Sequence, residues 1–200
     1  MNTYNPFQMQ WQPRGHSLGH CYNYKDLMYI PIPKNASTWS KDKFKQLGWN
    51  ECNYLHHHLY HKHSIVILRD PIERWVSGMV EYFSRLQSST PVEMFTDIIL
   101  NQCALDEHTY RQAYYISGIN FNNATFFYCK ENYKNDLTKF LKEHNINVDY
   151  TESIYRNVMK TNKQYLKDYF QSLIKDSAFL PKLKNYYECD YQIIRSVKYY

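Results

Sequence analysis

Two hundred residues, 44% of them apolar, suffice for one compact domain with a real core; no internal repeat, low-complexity tract or Gly/Ser linker marks a boundary, so 1–200 reads as a single domain. The net charge of +5 is spread along the chain, which suits an anionic ligand and argues against a dense basic patch of the nucleic-acid-binding kind. An opening with neither a basic nor an apolar leader region, no 18-residue apolar run, and five cysteines without C-x-x-C spacing read together as a soluble cytoplasmic protein with reduced thiols.

In chain order, the first strand is expected over Leu27–Ile32 and the first helix from Ser37 to Gln46. The turn between them, Pro33-Lys34-Asn35-Ala36-Ser37-Thr38-Trp39, reads as a nest for an anion. A helix start offers backbone N–H groups and a positive dipole end, and Lys34, Ser37 and Thr38 add a charge and two hydroxyls. It is not a Walker A loop, which needs glycines and a Lys immediately before the hydroxyl residue. A histidine-rich stretch, Leu55 to His63, follows. His57 and His61 stand at i, i+4, a spacing that suits two metal ligands on a helix, but with no H-E-x-x-H and only Glu51 nearby no metal site is assigned.

Ile65–Leu68 is a continuous apolar run, as in a strand buried on both faces, with the strand expected over Ser64–Leu68, and Arg69-Asp70-Pro71 leads from it into a helix ending near Phe83. Pro71 suits the first helical position with Asp70 as N-cap, so Arg69 is expected at the strand's carboxyl end and Ser77, two turns on, looking back toward it. Arg74 reads as a helix-surface ion-pair partner of Asp70 or Glu73. Further helices are expected over Pro91–Asn101 and Tyr133–His144, with a strand at Thr125–Tyr128 between them. The tail from Thr161 reads as two or three helices whose tyrosines, Tyr165 and Tyr169 and then Tyr187 and Tyr191, form packing faces. The 21 tyrosines admit two readings, core material or the lining of a sugar site.

Two strand-to-helix junctions, one centred on Lys34 and one on Arg69, point to a ligand with two separated anionic groups. Pro33 to Trp39 is similar to the 5′-phosphosulfate loop of the sulfotransferases, and Arg69-Asp70-Pro71-x-x-Arg74-x-x-Ser77 to their 3′-phosphate motif, above all in the carbohydrate sulfotransferase branch. Weaker echoes lie in Asp106-x-His108-x-x-x-Gln112 and after Tyr128. The chain departs from many members in placing Ala36 where glycine is common.

The resemblance implies an α/β fold related to the P-loop NTPases, with a parallel sheet flanked by helices and a mostly helical C-terminal half. It implies sulfuryl transfer from 3′-phosphoadenosine 5′-phosphosulfate (PAPS) to a hydroxyl or amine of an acceptor such as a carbohydrate, giving PAP, without a metal or a nucleic-acid partner. In that chemistry Lys34 meets the charge growing on the departing oxygen, while Asn35, Ala36, Ser37 and Thr38 hold the 5′ end. Trp39 stacks on adenine or is buried under its helix, and Arg69 and Ser77 grip the 3′-phosphate. A general base is needed at the acceptor; His57 is the first choice, with His56, His58, His108 or a glutamate as alternatives. Two other classes compete: a binding module for sulfated glycan or nucleic acid, and a nucleotide-dependent kinase, which would need a Walker A loop and a Mg²⁺-holding carboxylate.

Overall fold

The computed structural model describes residues 20–53, 62–86, 91–148, 161–176 and 178–200. Its centre is a five-stranded sheet of β1 (His20–Tyr24), β2 (Leu27–Ile30), β3 (Asn50–Asn53), β4 (His63–Leu68) and β5 (Ala124–Tyr128), in the spatial order β3-β1-β2-β4-β5. The β2–β4 and β4–β5 pairs are parallel and the β1–β2 and β1–β3 pairs antiparallel, so the sheet is mixed where a parallel one was expected. The reason is local. A two-residue turn at Lys25–Asp26, with Lys25 at φ 50°, folds β1 back on β2.

Alternation along the buried strands sorts side chains to the two faces. Met28, Ile30, Val66, Leu68 and Phe126 pack on one face with Tyr110, Tyr115, Ile116 and Ile193. Leu27, Tyr29, Ile65, Ile67 and Phe127 pack on the other, against Phe44 of α1 (Ser37–Gln46) and Leu137, Phe140 and Leu141 of α5 (Tyr133–Glu143). Both faces of β2, β4 and β5 are therefore apolar, which is why Ile65 to Leu68 reads as an unbroken run.

A third core joins α2 (Pro71–Leu86) to the C-terminal half: Trp75, Val76 and Met79 meet Leu166 and Phe170 of α6 (Thr161–Leu173) and Phe179 and Leu183 of α7 (Phe179–Tyr186). The tail of the chain is thus helical as expected, though Tyr165 is half exposed and Leu166 and Phe170 fill the packing positions beside it. Where one helix was expected from Pro91, a 3₁₀ turn over Val92–Phe95 runs into the short α3 (Thr96–Gln102). The one-turn α4 (Gln112–Tyr115) and α8 (Glu188–Ser196) complete eight α-helices among the described residues. None is long and apolar enough to cross a membrane. Beyond α8, Tyr199 bridges to Phe126 in parallel and the Tyr200 N–H donates to the Phe126 carbonyl at 3.0 Å, laying the tail along the β5 edge.

Candidate active site

The parallel strands carry β2 and β4 to the same sheet edge, and the turns that leave them meet there: Arg69 donates through Nη1 to the Lys34 carbonyl at 3.1 Å. The turn after β2 contains no glycine, yet Lys34 and Ala36 adopt φ of 67° and 57°, the left-handed region. Each costs a side-chain-bearing residue about 1 kcal/mol. Asn35, between them, is fully buried and committed internally. Its N–H donates to the Ile32 carbonyl at 3.1 Å, and its Nδ2 to the Ile67 carbonyl at 2.8 Å and to Gln112 Oε1 at 2.6 Å.

Gln112 serves as a rivet between the two junctions: its Oε1 also accepts from the Arg69 N–H at 3.0 Å, and its Nε2 donates to the Arg69 carbonyl at 2.8 Å. Gln112 is held in turn by Asp190 of α8, whose carboxylate accepts the backbone N–H groups of Gln112 and Ala113 at 2.8 and 2.9 Å and so caps α4. Burial pushes the Asp190 carboxyl above its ordinary value, against the pull of those N–H groups and of Arg74.

Arg74 departs most from expectation. It is no surface ion-pair partner: it is fully buried, and its guanidinium donates through Nε to the Pro33 carbonyl at 2.9 Å, through Nη1 to the Tyr110 carbonyl and through Nη2 to the Glu107 carbonyl at 3.4 Å. A buried charge is tolerable when its donors are satisfied, and these three carbonyls also pin the Lys34 turn to the loop before α4. Asp70 does cap α2 as expected, its Oδ1 accepting the N–H groups of Ile72 and Glu73 at 2.9 Å.

The face of α2 turned away from Trp75 and Met79 lines a cleft of about 520 Å³. Glu73, Ser77 and Glu81 recur at i+4 along one wall, Lys163, Lys167 and Gln171 of α6 along the other, and Lys34 and Arg69 enter from the sheet edge. Lys34, Arg69 and Ser77, expected from two separate segments, are therefore brought into one cavity. Lys34 Nζ lies 3.5 Å from Glu81 Oε2, which also receives Lys163 at 3.3 Å, while Arg85 donates to Glu81 Oε1 at 2.7 Å. Burial alone would push the Glu81 carboxyl up, but Lys34, Arg85 and Lys163 together hold it down at about 2. Burial lowers the Lys34 ammonium, and Glu81 offsets part of that.

Other expected site residues fall elsewhere. Asn35 is a buried brace, because its donors are spent on Ile32, Ile67 and Gln112, and Ala36, Ser37, Thr38 and Trp39 stand at the start of α1 and do not line this cleft. The Trp39 ring meets Tyr133 of α5 edge-on at a centroid distance of 5.8 Å and has Lys134 Nζ 5.0 Å from its centroid, so it packs on α5. His108 pairs with Asp106 at 2.6 Å in the turn before α4 and is likewise outside the cleft. His56, His57, His58 and His61 lie outside the described residues. No group of three His, Cys, Asp or Glu side chains poised for a metal occurs among the described residues.

Sequence reading missed Glu81, Lys163 and Lys167. The signal was present: Lys163, Lys167 and Gln171 keep i+4 spacing on the face of α6 next to buried Leu166 and Phe170. No protein-family model, curated protein or solved structure matches this chain, so the site rests on its own geometry.

Proposed function

We propose that this chain is a sulfotransferase that moves the sulfuryl group of PAPS to a hydroxyl or amine of an acceptor, a carbohydrate in the first instance, on a P-loop-related scaffold. The observation that carries the reading is the meeting of Lys34, Arg69 and Ser77 in one cleft of about 520 Å³, from junctions 35 residues apart that resemble the two nucleotide motifs of that family. Arg69 and Ser77 take the 3′-phosphate, and Lys34 faces the bridging oxygen between phosphate and sulfuryl group. As that bond breaks, negative charge grows on the oxygen that leaves with PAP, and an ammonium already fixed there lowers the barrier without a metal. Glu81 keeps the half-buried Lys34 side chain charged and oriented before the donor arrives. We retain His57 as the proton acceptor for the incoming hydroxyl.

Thermal unfolding with added nucleotide tests the reading. PAP at a hundredfold excess over its dissociation constant is expected to add about 2.7 kcal/mol, several degrees in melting temperature, while ATP with Mg²⁺ adds much less. The reverse ranking returns the kinase. Sulfur-35 transfer from labelled PAPS to a panel of glycans, phenols and alcohols then reads the chemistry, and Lys34→Ala is expected to abolish it while weakening PAP only moderately. Undiminished transfer by that variant overturns the role given to Lys34.

A further inference from the structure

Resting on the PAPS reading, we infer that Lys167 of α6 is a further specificity-determining residue of the cleft: it supplies the cation that completes the grip on the nucleotide's second phosphate. The second phosphate is otherwise short of positive charge. Arg69 is the only charged group that the two sequence motifs bring to that phosphate, and its fork is partly spent. Nη1 donates to the Lys34 carbonyl at 3.1 Å, and Nε lies 3.5 Å from the Glu73 carboxylate, which offsets its charge. Ser77 adds a hydroxyl but no charge. A phosphate monoester carries nearly two negative charges at pH 7. One partly neutralised guanidinium leaves it undercompensated.

The opposite wall makes up the difference. Lys163 reaches Glu81, and seven residues on Phe170 meets Trp75 edge-on at 5.7 Å, six residues back along α2, so the two helices run antiparallel. Each turn along α6 therefore carries a cleft residue about 6 Å from the Glu81 end toward Ser77 and Arg69. Lys163, at the Glu81 end, is occupied by that carboxylate. Lys167, one turn nearer Arg69, lines the cleft half-buried and makes no ion pair or hydrogen bond among the described residues. Lys34 and Arg69, by contrast, each already face a carboxylate. An uncommitted ammonium on the wall facing Ser77 is the group a second phosphate would recruit.

The ligand class that needs Lys167 is thus a nucleoside bisphosphate, and a 5′-monophosphate does not need it. Calorimetric titration of the full chain with PAP and with adenosine 5′-monophosphate tests this. Lys167→Ala and Lys167→Gln are expected to weaken PAP about tenfold and to leave the monophosphate within twofold; Lys167→Arg is expected to keep PAP binding. The salt dependence of PAP affinity is expected to flatten in the two neutral variants, because one phosphate contact is lost. Equal losses for both nucleotides, or no loss for either, overturn the assignment while leaving the donor reading intact. A wild-type chain that binds PAP no better than the monophosphate overturns the donor reading, and this inference falls with it.

Discussion

Among the described residues Glu81 gathers the most cations, with Lys34, Lys163 and Arg85 converging on one carboxylate that is about 20% exposed. An acid held at about 2 in the fold, against an ordinary value of 4.5, favours the folded state above pH 4.5, and that contribution drains away as the pH falls toward 2. The shift corresponds to about 3 kcal/mol at full value, which contact with solvent reduces to about 1 kcal/mol. Urea unfolding of wild type and Glu81→Gln should therefore differ by about 1 kcal/mol at pH 7, the gap narrowing below pH 4.5 and closing as the pH falls to about 2. A gap that persists in acid would place its origin in packing. Residue identity was legible where the local pattern set it, as for Asp70 capping α2. It was illegible for Arg74, whose carbonyl partners at Pro33, Glu107 and Tyr110 lie more than 30 residues away and follow no local spacing.

At the scale of the element, α2 presents three faces, and each explains part of its sequence. Trp75 and Met79 are fully buried in the third core, Glu73, Ser77 and Glu81 line the cleft, and Arg74 and Gly78 press on the loop before α4. A Cβ at Gly78 would stand 2.5 Å from the His108 carbonyl oxygen and 2.9 Å from Thr109 Cγ2. Gly78→Ala, which in an exposed helix would add stability, is therefore expected to cost about 1–3 kcal/mol and several degrees of melting temperature. A stabilised variant would mean that α2 and the loop slide apart freely. The helices α2 and α5 and strands β2, β4 and β5 were readable because their apolar residues recur at helical spacing or form short continuous runs, and α1, with only Trp39 and Phe44 apolar, because the turn before Ser37 marks its start. The strands β1 and β3 were not: His20 to Tyr24 and Asn50 to Asn53 mix polar and apolar residues, and register with one another rather than local pattern makes them a pair. Four-residue α4 is capped by a carboxylate 78 positions downstream, a signal no window along the chain contains.

The whole molecule is joined through that carboxylate. Asp190 fixes Gln112, Gln112 fixes Asn35 and the Arg69 backbone, and so the helical half sets the geometry of both turns at the sheet edge. Asp190 itself does not line the cleft. Asp190→Ala is expected to cost about 2–4 kcal/mol, since the buried Gln112 N–H and the partly buried Ala113 N–H lose their acceptor, and to weaken PAP severalfold under conditions where the variant is still folded. Unfolding curves and calorimetric titration read the two effects separately. Destabilisation with full nucleotide affinity would show that the rivet holds the fold and not the site. The pairing of Lys34, Arg69 and Ser77 was readable from motif order, whereas the α6 wall depends on tertiary packing of α6 on α2.

At the opposite margin, the tail's hold on Phe126 has a colloidal consequence. A bare parallel edge rich in Phe and Tyr would offer an open row of carbonyls and N–H groups to any passing chain, and an added strand is the usual first step toward insoluble assembly. Tyr199 and Tyr200 occupy that row in part. Two residues thus cover part of the margin through which a second copy of the chain would have to add.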